Sequence, residues 1–282
     1  MTLRRKTMPL PLSNLLGTFE SLWPLAGAEE WDRPGHTTGN ASQTITKALL
    51  CVDVTLEVLS EAKQLGCELV ISHHPILLKG VNFLSEDQLK GELVSFAVKN
   101  SIAIFSAHTN ADIVIDGVSD ILAQKLGLAN AKPLIATGDG IGHGRIGKLE
   151  SPQLLSEYTK YVASCLPDTH APIRVAGDLN KTIETVAVVG GAGDSFIPAA
   201  AQSGADLFIT SDLRHHVVLD AVSDPTNPLA LIDISHFAAE SLWLKPTQVT
   251  LSTLIPGVSF VVSQISTDPW SMSVQGRRSS EG

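Results

Sequence analysis

The chain has 282 residues, of which 44% are hydrophobic and 17% are charged, and its formal net charge is -9. This length allows one large domain or two ordinary ones, and the apolar fraction is sufficient for a core without covalent crosslinks. The longest run of basic residues is Arg4–Lys6, which argues against a nucleic-acid-binding surface and favours a small molecule or a protein as the partner.

The cysteines and the apolar segments bear on location. Three cysteines are an odd number for a disulfide framework, and Cys51 lies in an apolar run where a reduced thiol is expected. Pro9 and Pro11 interrupt the apolar N-terminal segment before it reaches signal-peptide length, and no stretch approaches the ~20 apolar residues of a membrane span. The sequence therefore predicts a cytoplasmic protein without a membrane partner.

In chain order, strands alternate with helices, which is typical of α/β folds with a largely parallel or mixed sheet. The first part of the chain is predicted as strand 47–55, helix 56–66, strand 68–72, helix 88–100, strand 102–107 and helix 116–128. After a predicted loop, 136–147, the order is helix 154–166, strands 173–177 and 185–191, helix 196–204, strand 205–210, helix 216–222, strand 229–235 and helix 236–244.

This order predicts two related α/β lobes with a site at their interface. The first lobe covers 1–135, the second covers 136–268, with its last strand and helix able to pack back on the first, and 269–282 form a frayed tail. The two lobes share a weak repeat, since "LGCELVISHH" matches "SGADLFITSD" with Glu68 on Asp206. "IAIFSAHTNAD" also matches "ALIDISHFAAE", with the same spacing between histidine and acid, although matches this short also arise by chance.

Polar residues follow several predicted strands, where ligands gather in open α/β sheets. His73 and His74 end one strand, His108 and Asp112 follow the next, and a third strand is followed by His236 and Glu240. Histidines at strand ends are often structural, hydrogen-bonded residues. Because so many imidazoles and carboxylates are costly to bury unpaired, the pattern favours a metal site in which one carboxylate bridges two ions, and ligands without thiolate suit Zn, Fe or Mn.

Other features have simpler interpretations. The turn "VVGGAGDSF" could bind phosphate at a helix N-terminus, but tight packing between strand and helix is the favoured role. Asp212, His215 and His216 follow another strand, and one of them could act as a proton shuttle. Trp31 is most simply a core anchor.

These motifs together resemble the Ngg-interacting factor 3-like family, whose members are often labelled GTP cyclohydrolase 1 type 2 homologs. The resemblance covers about residues 10–265, in "EEWDRPG", "SHHPILLKG", "SAHTNAD", "GRIGKL" and "LIDISHFAAE" among others. It implies a centre of two divalent metal ions in a homo-oligomer, typically a toroidal hexamer. The implied ligands are His74 and Asp112 for one ion and His73 and His236 for the other, with Glu240 as the bridge.

The resemblance also implies His108 and His216 as residues for proton transfer. The chain departs from the family in the turn "DRPGHTTGN", which puts substrate contacts in doubt. Positive charge for a substrate phosphate could come from Lys79, Arg145 and Arg214. Two functions remain open. One is a metal-dependent hydrolase resembling GTP cyclohydrolase 1 type 2, acting on a purine nucleotide or related small molecule. The other is a non-catalytic metal-binding or regulatory protein of the same family.

Overall fold

A computed structural model describes residues 9–275. The strands are β1 (Leu10–Pro11), β2 (Gly35–Thr38), β3 (Thr44–Ile45), β4 (Lys47–Cys51), β5 (Leu69–Ser72), β6 (Ala103–Ser106), β7 (Ala129–Ala136), β8 (Gly142–Leu154), β9 (Arg174–Ala176), β10 (Thr182–Ala192), β11 (Leu207–Ser211), β12 (Ala230–Asp233) and β13 (Ser259–Val262). The helices are α1 (Leu12–Leu22), α2 (Leu56–Leu65), α3 (Leu89–Lys99), α4 (Thr109–Asp112), α5 (Val118–Lys125), α6 (Leu155–Cys165), α7 (Ile197–Gln202), α8 (His215–Ser223) and α9 (His236–Leu254).

The larger strands form two mixed sheets. A five-stranded sheet has the order β13-β4-β5-β6-β2, in which only β2 runs antiparallel to its neighbour. A six-stranded sheet has the order β7-β8-β10-β11-β12-β9, with a parallel centre of β10, β11 and β12. The predicted α/β class with mixed sheets is therefore confirmed.

Local sequence signals fix the helices that matter for the site. Thr55 caps α2 by accepting a hydrogen bond from the Val58 amide, and Gly66 ends the helix in the left-handed conformation. Ser235 caps α9 in the same way through the Ala238 amide. These caps place the following strand β5 and the first turn of α9 where the sequence predicts them.

The predicted loop 136–147 is shorter in the structure, where only residues 137–141 connect two strands. Its ends belong to β7 and β8, which pair in antiparallel fashion and place Ala136 opposite Gly142. Gly144, at φ 59°, supplies a left-handed backbone within β8, so the glycines permit a bent strand where composition predicts a loop.

Helix α9 connects the cores beneath the two sheets. Its Trp243 packs with Leu50 and Phe105 of the five-stranded sheet, whereas its Ala239 packs with Val188 and Ile209 of the six-stranded sheet. The chain then returns to the first sheet, because β13 pairs in parallel with β4.

The division into lobes at residue 135 stays a prediction, and it falls within β7. Of the proposed tail, 269–275 have no regular structure and 276–282 lie outside the described residues. No helix within residues 9–275 combines the length and the apolar character needed to cross a membrane.

Candidate metal centre

Three chain segments bring the predicted ligands together, two from the carboxyl edge of the five-stranded sheet and one from that of the six-stranded sheet. His73 and His74 follow β5, whose four residues are all buried between β4 and β6. Asp112 ends the short helix α4 after β6, and His236 opens α9 after β12. The five predicted ligands therefore meet between the two sheets.

Glu240 lies at the centre of this cluster and is 2% exposed. Its Oε1 atom is 2.8 Å from Nε2 of His236 and 3.4 Å from Nε2 of His73, whereas its Oε2 atom is 3.1 Å from Nε2 of His74. The two carboxylate oxygens thus face different imidazoles, which is the arrangement required of a bridging ligand.

The remaining distances divide the cluster into two halves. Asp112 Oδ1 is 3.6 Å from Nε2 of His73, and the Nε2 atoms of His74 and His236 are 3.3 Å apart. These two distances do not follow the implied division, whereas the Glu240 contacts do, because Oε1 faces His73 and His236 and Oε2 faces His74. The division of ligands between ions stays a prediction.

Each ligand histidine is held through its other ring nitrogen. Nδ1 of His73 is 2.8 Å from the Ala107 carbonyl, Nδ1 of His74 is 2.7 Å from Asp53, and Nδ1 of His236 is 2.7 Å from Asp212. Such contacts fix the tautomer and turn Nε2 toward the centre, as in histidines that bind metals. Their presence on every ligand imidazole supports a metal role over a merely structural one.

Asp53 was not predicted from the sequence as a positioning residue, and Asp212 was predicted only as one of three candidates for a proton shuttle. Asp212 adopts a left-handed conformation at φ 59°, which is uncommon for an aspartate and is found where a site requires it. The available signal was that each aspartate follows the end of a strand, β4 for Asp53 and β11 for Asp212.

His108 adjoins the cluster. Its ring centroid is 5.2 Å from those of His73 and His74, and one ligand atom of each of the three histidines lies within 4.8 Å of the others. Its Nδ1 is 2.8 Å from Asp32, a buried carboxylate that also accepts a hydrogen bond from the Thr109 amide. Burial opposes ionisation of Asp32, but these bonds lower its pKa to about 2.

His216 lies elsewhere. It is exposed in the first turn of α8 and stacks edge-on against His215, with 5.1 Å between ring centroids. Within residues 9–275, neither histidine belongs to a potential metal-binding group. The structure thus places His108 beside the cluster and leaves His216 apart from it, and the proton-transfer role of each stays a prediction.

The cluster is strongly coupled electrostatically. Burial disfavours the charged forms of His74 and His236, but Glu240 and the aspartates on their Nδ1 atoms outweigh it, raising the pKa of His74 to about 10 and that of His236 to about 11. Burial alone would raise the pKa of Glu240, yet the surrounding imidazoles hold it well below its usual value. The carboxylate thus attracts positive charge, as protons or as metal ions.

Three buried atoms of the cluster lack a well-formed hydrogen bond among the described residues: Nε2 of His73, Oδ1 of Asp112 and Oε2 of Glu240. Leaving such groups unpaired is costly. All three belong to predicted ligands and lie in the cluster, and imidazole nitrogen with carboxylate oxygen is a donor set suited to Zn, Fe or Mn. The residues therefore fit a metal centre.

A cavity of about 500 Å³ opens onto the cluster. It reaches His74, His236 and Glu240 on one side and Trp31 and Phe196 on another. The prediction that Trp31 anchors the core is wrong, because its side chain is 56% exposed and packs edge-on against His108. The candidate metal centre is thus accessible to a small molecule.

The glycine-rich turn packs against the cluster. A Cβ atom on Gly191, at φ 76°, would lie 2.7 Å from Oε1 of Glu240, and one on Gly193 would lie 2.1 Å from the Thr210 hydroxyl. Close packing, the favoured interpretation, therefore accounts for both positions.

Of the three residues expected to supply positive charge, the two arginines are already paired with other groups of the protein. Arg145 is 1% exposed and donates to Asp120 and to backbone carbonyls, so its expected role as a free positive charge is wrong. Arg214 is paired with Asp194, and Lys79 is exposed outside the residues that line the cavity.

Comparisons with known proteins identify the family of the chain. The family model Duf34/NIF3 (NGG1p interacting factor 3) matches residues 10–269. A GTP cyclohydrolase 1 type 2 homolog from Streptomyces coelicolor is 39% identical over 93% of this chain and 94% of its own length. A homolog of the same name from Clostridium perfringens is 34% identical over 93% of this chain and 99% of its own.

The fold has a solved counterpart. The crystal structure of a Bacillus cereus protein related to NIF3 superposes with a TM-score of 0.87 at 24% identity, covering 94% of this chain and 99% of that one. The family resemblance inferred from the motifs is therefore confirmed.

Proposed function

This chain belongs to the Duf34/NIF3 family, and on that premise we propose that it is a dinuclear metal-dependent hydrolase of the GTP cyclohydrolase 1 type 2 kind. Its substrate is a purine nucleotide or a related small molecule. The observation that carries the proposal is the position of Glu240, which is buried with its two carboxylate oxygens facing different imidazoles beside an accessible cavity.

The predicted ligands would hold two divalent ions, Zn, Fe or Mn, with Glu240 shared between them. Two such ions supply a water of lowered pKa and polarise the group under attack. The protein's own part is positional, since the bonds from Nδ1 to Ala107, Asp53 and Asp212 orient the imidazoles before any ion arrives.

His108 is the residue proposed to move a proton. Its Nδ1 is held by Asp32, which stays ionised because its pKa is about 2. That contact leaves Nε2 to take up or release a proton beside the cavity. His216 is kept as a second candidate on the family resemblance, although its exposed position gives it no contact with the cluster among the described residues.

We also propose a cytoplasmic homo-oligomer, with a toroidal hexamer as its form. Apolar side chains are exposed in the segment before α3 and at its start, where Phe83 is 78% exposed and Leu89 is 66% exposed. Light scattering on the purified protein tests this directly, because a hexamer has six times the 29.9 kDa of one chain.

The test of the enzymatic proposal is turnover by metal-loaded protein of a panel of nucleotides and their parent compounds. We expect ring-opening hydrolysis of at least one purine compound and its loss in Asp112→Ala. Bound metal without turnover of any compound would contradict the proposal and favour the non-catalytic, metal-binding function.

A further inference from the structure

The cavity beside the cluster has aromatic walls. Trp31 and Phe196 both line it, and each packs against a histidine that also lines it, His108 at 5.9 Å and His143 at 5.6 Å between ring centroids. Trp31 is 56% exposed and Phe196 is half-buried. An accessible aromatic face next to a reacting centre binds planar rings, because stacking needs only a π face.

The same cavity lacks lysine and arginine side chains. No lysine or arginine is found among the described residues that line it, and it contains the partly exposed carboxylate of Glu29. Recognition of a polyphosphate normally depends on arginine, lysine or a helix N-terminus. This wall therefore offers no lysine or arginine to a triphosphate, and its glycine-rich turn is not open to one, since Gly191 and Gly193 are packed against Glu240 and Thr210.

A second cavity, on the other side of the cluster, does not supply the missing positive charge for a phosphate. It has a volume of about 880 Å³ and is lined by His74, His236 and the segment containing Trp270. Its one arginine among the described residues, Arg174, is paired with Asp233. Positive charge for a phosphate would therefore come only from the ions, and a phosphate bound there would displace the ring from the reacting centre.

Glu29 supplies a polar contact suited to a heterocycle. Its carboxylate is 40% exposed and 3.1 Å from Nε2 of His143, so one oxygen has capacity left toward the cavity. A carboxylate accepts hydrogen bonds from neighbouring ring N–H and amino groups, such as those on the edge of guanine.

We infer that this cavity takes an unphosphorylated planar heterocycle, a nucleobase or nucleoside, and discriminates against nucleoside triphosphates; the inference rests on the proposed function. Trp31 and Phe196 stack on the ring, and Glu29 accepts from its N–H edge. Each added phosphate brings negative charge beside Glu29, and no lysine or arginine of this wall offsets it.

The experiment compares guanine, guanosine, GMP and GTP on zinc-loaded protein, with binding measured by calorimetry and products by chromatography. We expect guanosine to bind about tenfold or more tightly than GTP, because Glu29 repels the triphosphate and a phosphate held at the ions displaces the ring from the aromatic wall. Binding of guanosine without turnover would support the ligand class and contradict the hydrolase. Equal or tighter binding of GTP, or no binding of guanine and guanosine, would overturn the inference.

Matched variants locate the ring. Trp31→Ala should weaken guanosine binding about tenfold or more, as expected for loss of a stacking partner. Trp270→Ala removes an exposed tryptophan from the other cavity and should leave binding unchanged. Loss with Trp270→Ala alone would overturn the assignment of the ring to this cavity. A GTP preference abolished by Lys79→Ala would overturn the discrimination against phosphate.

Discussion

The central strands of the two sheets have the same surroundings but different ends. β5 lies between the parallel strands β4 and β6, and β11 lies between the parallel strands β10 and β12. β5 is followed by His73 and His74, both in the metal cluster, whereas the equivalent positions at β11 are Ser211 and Asp212. Asp212 does not face Glu240 but holds Nδ1 of His236. The end of β5 thus supplies two ligands, whereas the end of β11 supplies a residue that orients a ligand.

The starts of these strands have diverged less. Glu68, before β5, accepts hydrogen bonds from the amides of Thr46 and Lys47. Asp206, before β11, accepts from the amides of Glu184 and Thr185. The repeat seen in the sequence thus corresponds to a shared structural contact at one end of the strands and to different chemistry at the other.

The largest difference in metal binding is expected between variants of Glu240 and Asp112, the two acids at matching positions of the sequence repeat. Glu240 contacts three imidazoles, whereas Asp112 is 3.6 Å from His73 and its side chain is 23% exposed. Glu240→Gln should therefore lose both ions, while Asp112→Asn should keep about one, as expected when a bridging and a terminal ligand are removed. Metal analysis of the two variants checks this, and equal metal loss in both would remove the distinction.

The positioning aspartates should have a smaller effect. Asp212→Asn and Asp53→Asn should each weaken metal binding by about 10- to 100-fold, because the imidazole loses the partner that fixes its orientation. Competition with a chelating dye measures the affinity. Asp206→Asn is the matched control in the same sheet and should leave metal affinity unchanged, so a similar loss there would point to general loosening of the fold.

Metal binding should also depend on pH. In metal-free protein the pKa of His74 is about 10 and that of His236 about 11, both above the usual 6.5, so at pH 7 an ion must displace protons. Affinity should therefore rise with pH, about tenfold per unit for each proton released. Calorimetry in buffers of different ionisation enthalpy counts those protons, and release of none would contradict the proposed ligands.

In metal-free protein, the contribution of the cluster to the free energy of unfolding should fall as the pH rises. Because the pKa of His74 is raised in the folded state, its protonated imidazole stabilises the fold fully at pH values below the unfolded pKa of about 6.5. That contribution is lost as the pH rises through about 10. Denaturation of chelator-treated protein should thus show the cluster's contribution falling over this range. A cluster contribution that grows with pH would contradict protonated imidazoles.

The smallest effects on the protein are expected at the contacts that Glu68 and Asp206 make with backbone amides at the starts of β5 and β11. Glu68→Gln and Asp206→Asn should each lower the free energy of unfolding by about 1–2 kcal/mol, because a charged acceptor of backbone amides is replaced by a neutral one. Urea denaturation measures this. If one variant were neutral and the other costly, the two contacts would not be equivalent.

Much of this arrangement could be predicted from the sequence because it is local. Apolar runs ending in polar residues predict β5, β6, β11 and β12, and the carboxyl-edge rule brings His73, Asp112 and Glu240 together. Long-range contacts carry no such signal. Asp32 reaches His108 across 76 positions, and α1 and β13 were not predicted, because short amphipathic segments depend on the core that they cover.

Two further errors have physical causes. Glycines at 142 and 144 resemble a loop, yet β7 and β8 pair through them. Trp31 resembles a core residue by composition, but the turn that contains it lies at the mouth of the cavity, where an exposed ring can contact a ligand. In both cases, the residue type indicates the environment that the residue usually occupies, but its position in the folded chain determines where it lies.

The measurement that tests the central claim most directly is elemental analysis of protein purified without chelator, beside the double variant His73→Ala with Glu240→Ala. We predict about two equivalents of Zn, Fe or Mn per wild-type chain and none in the variant, with an unchanged far-UV spectrum. Two equivalents retained by the variant, or a wild-type chain without bound metal, would contradict the assignment of these residues to a dinuclear centre.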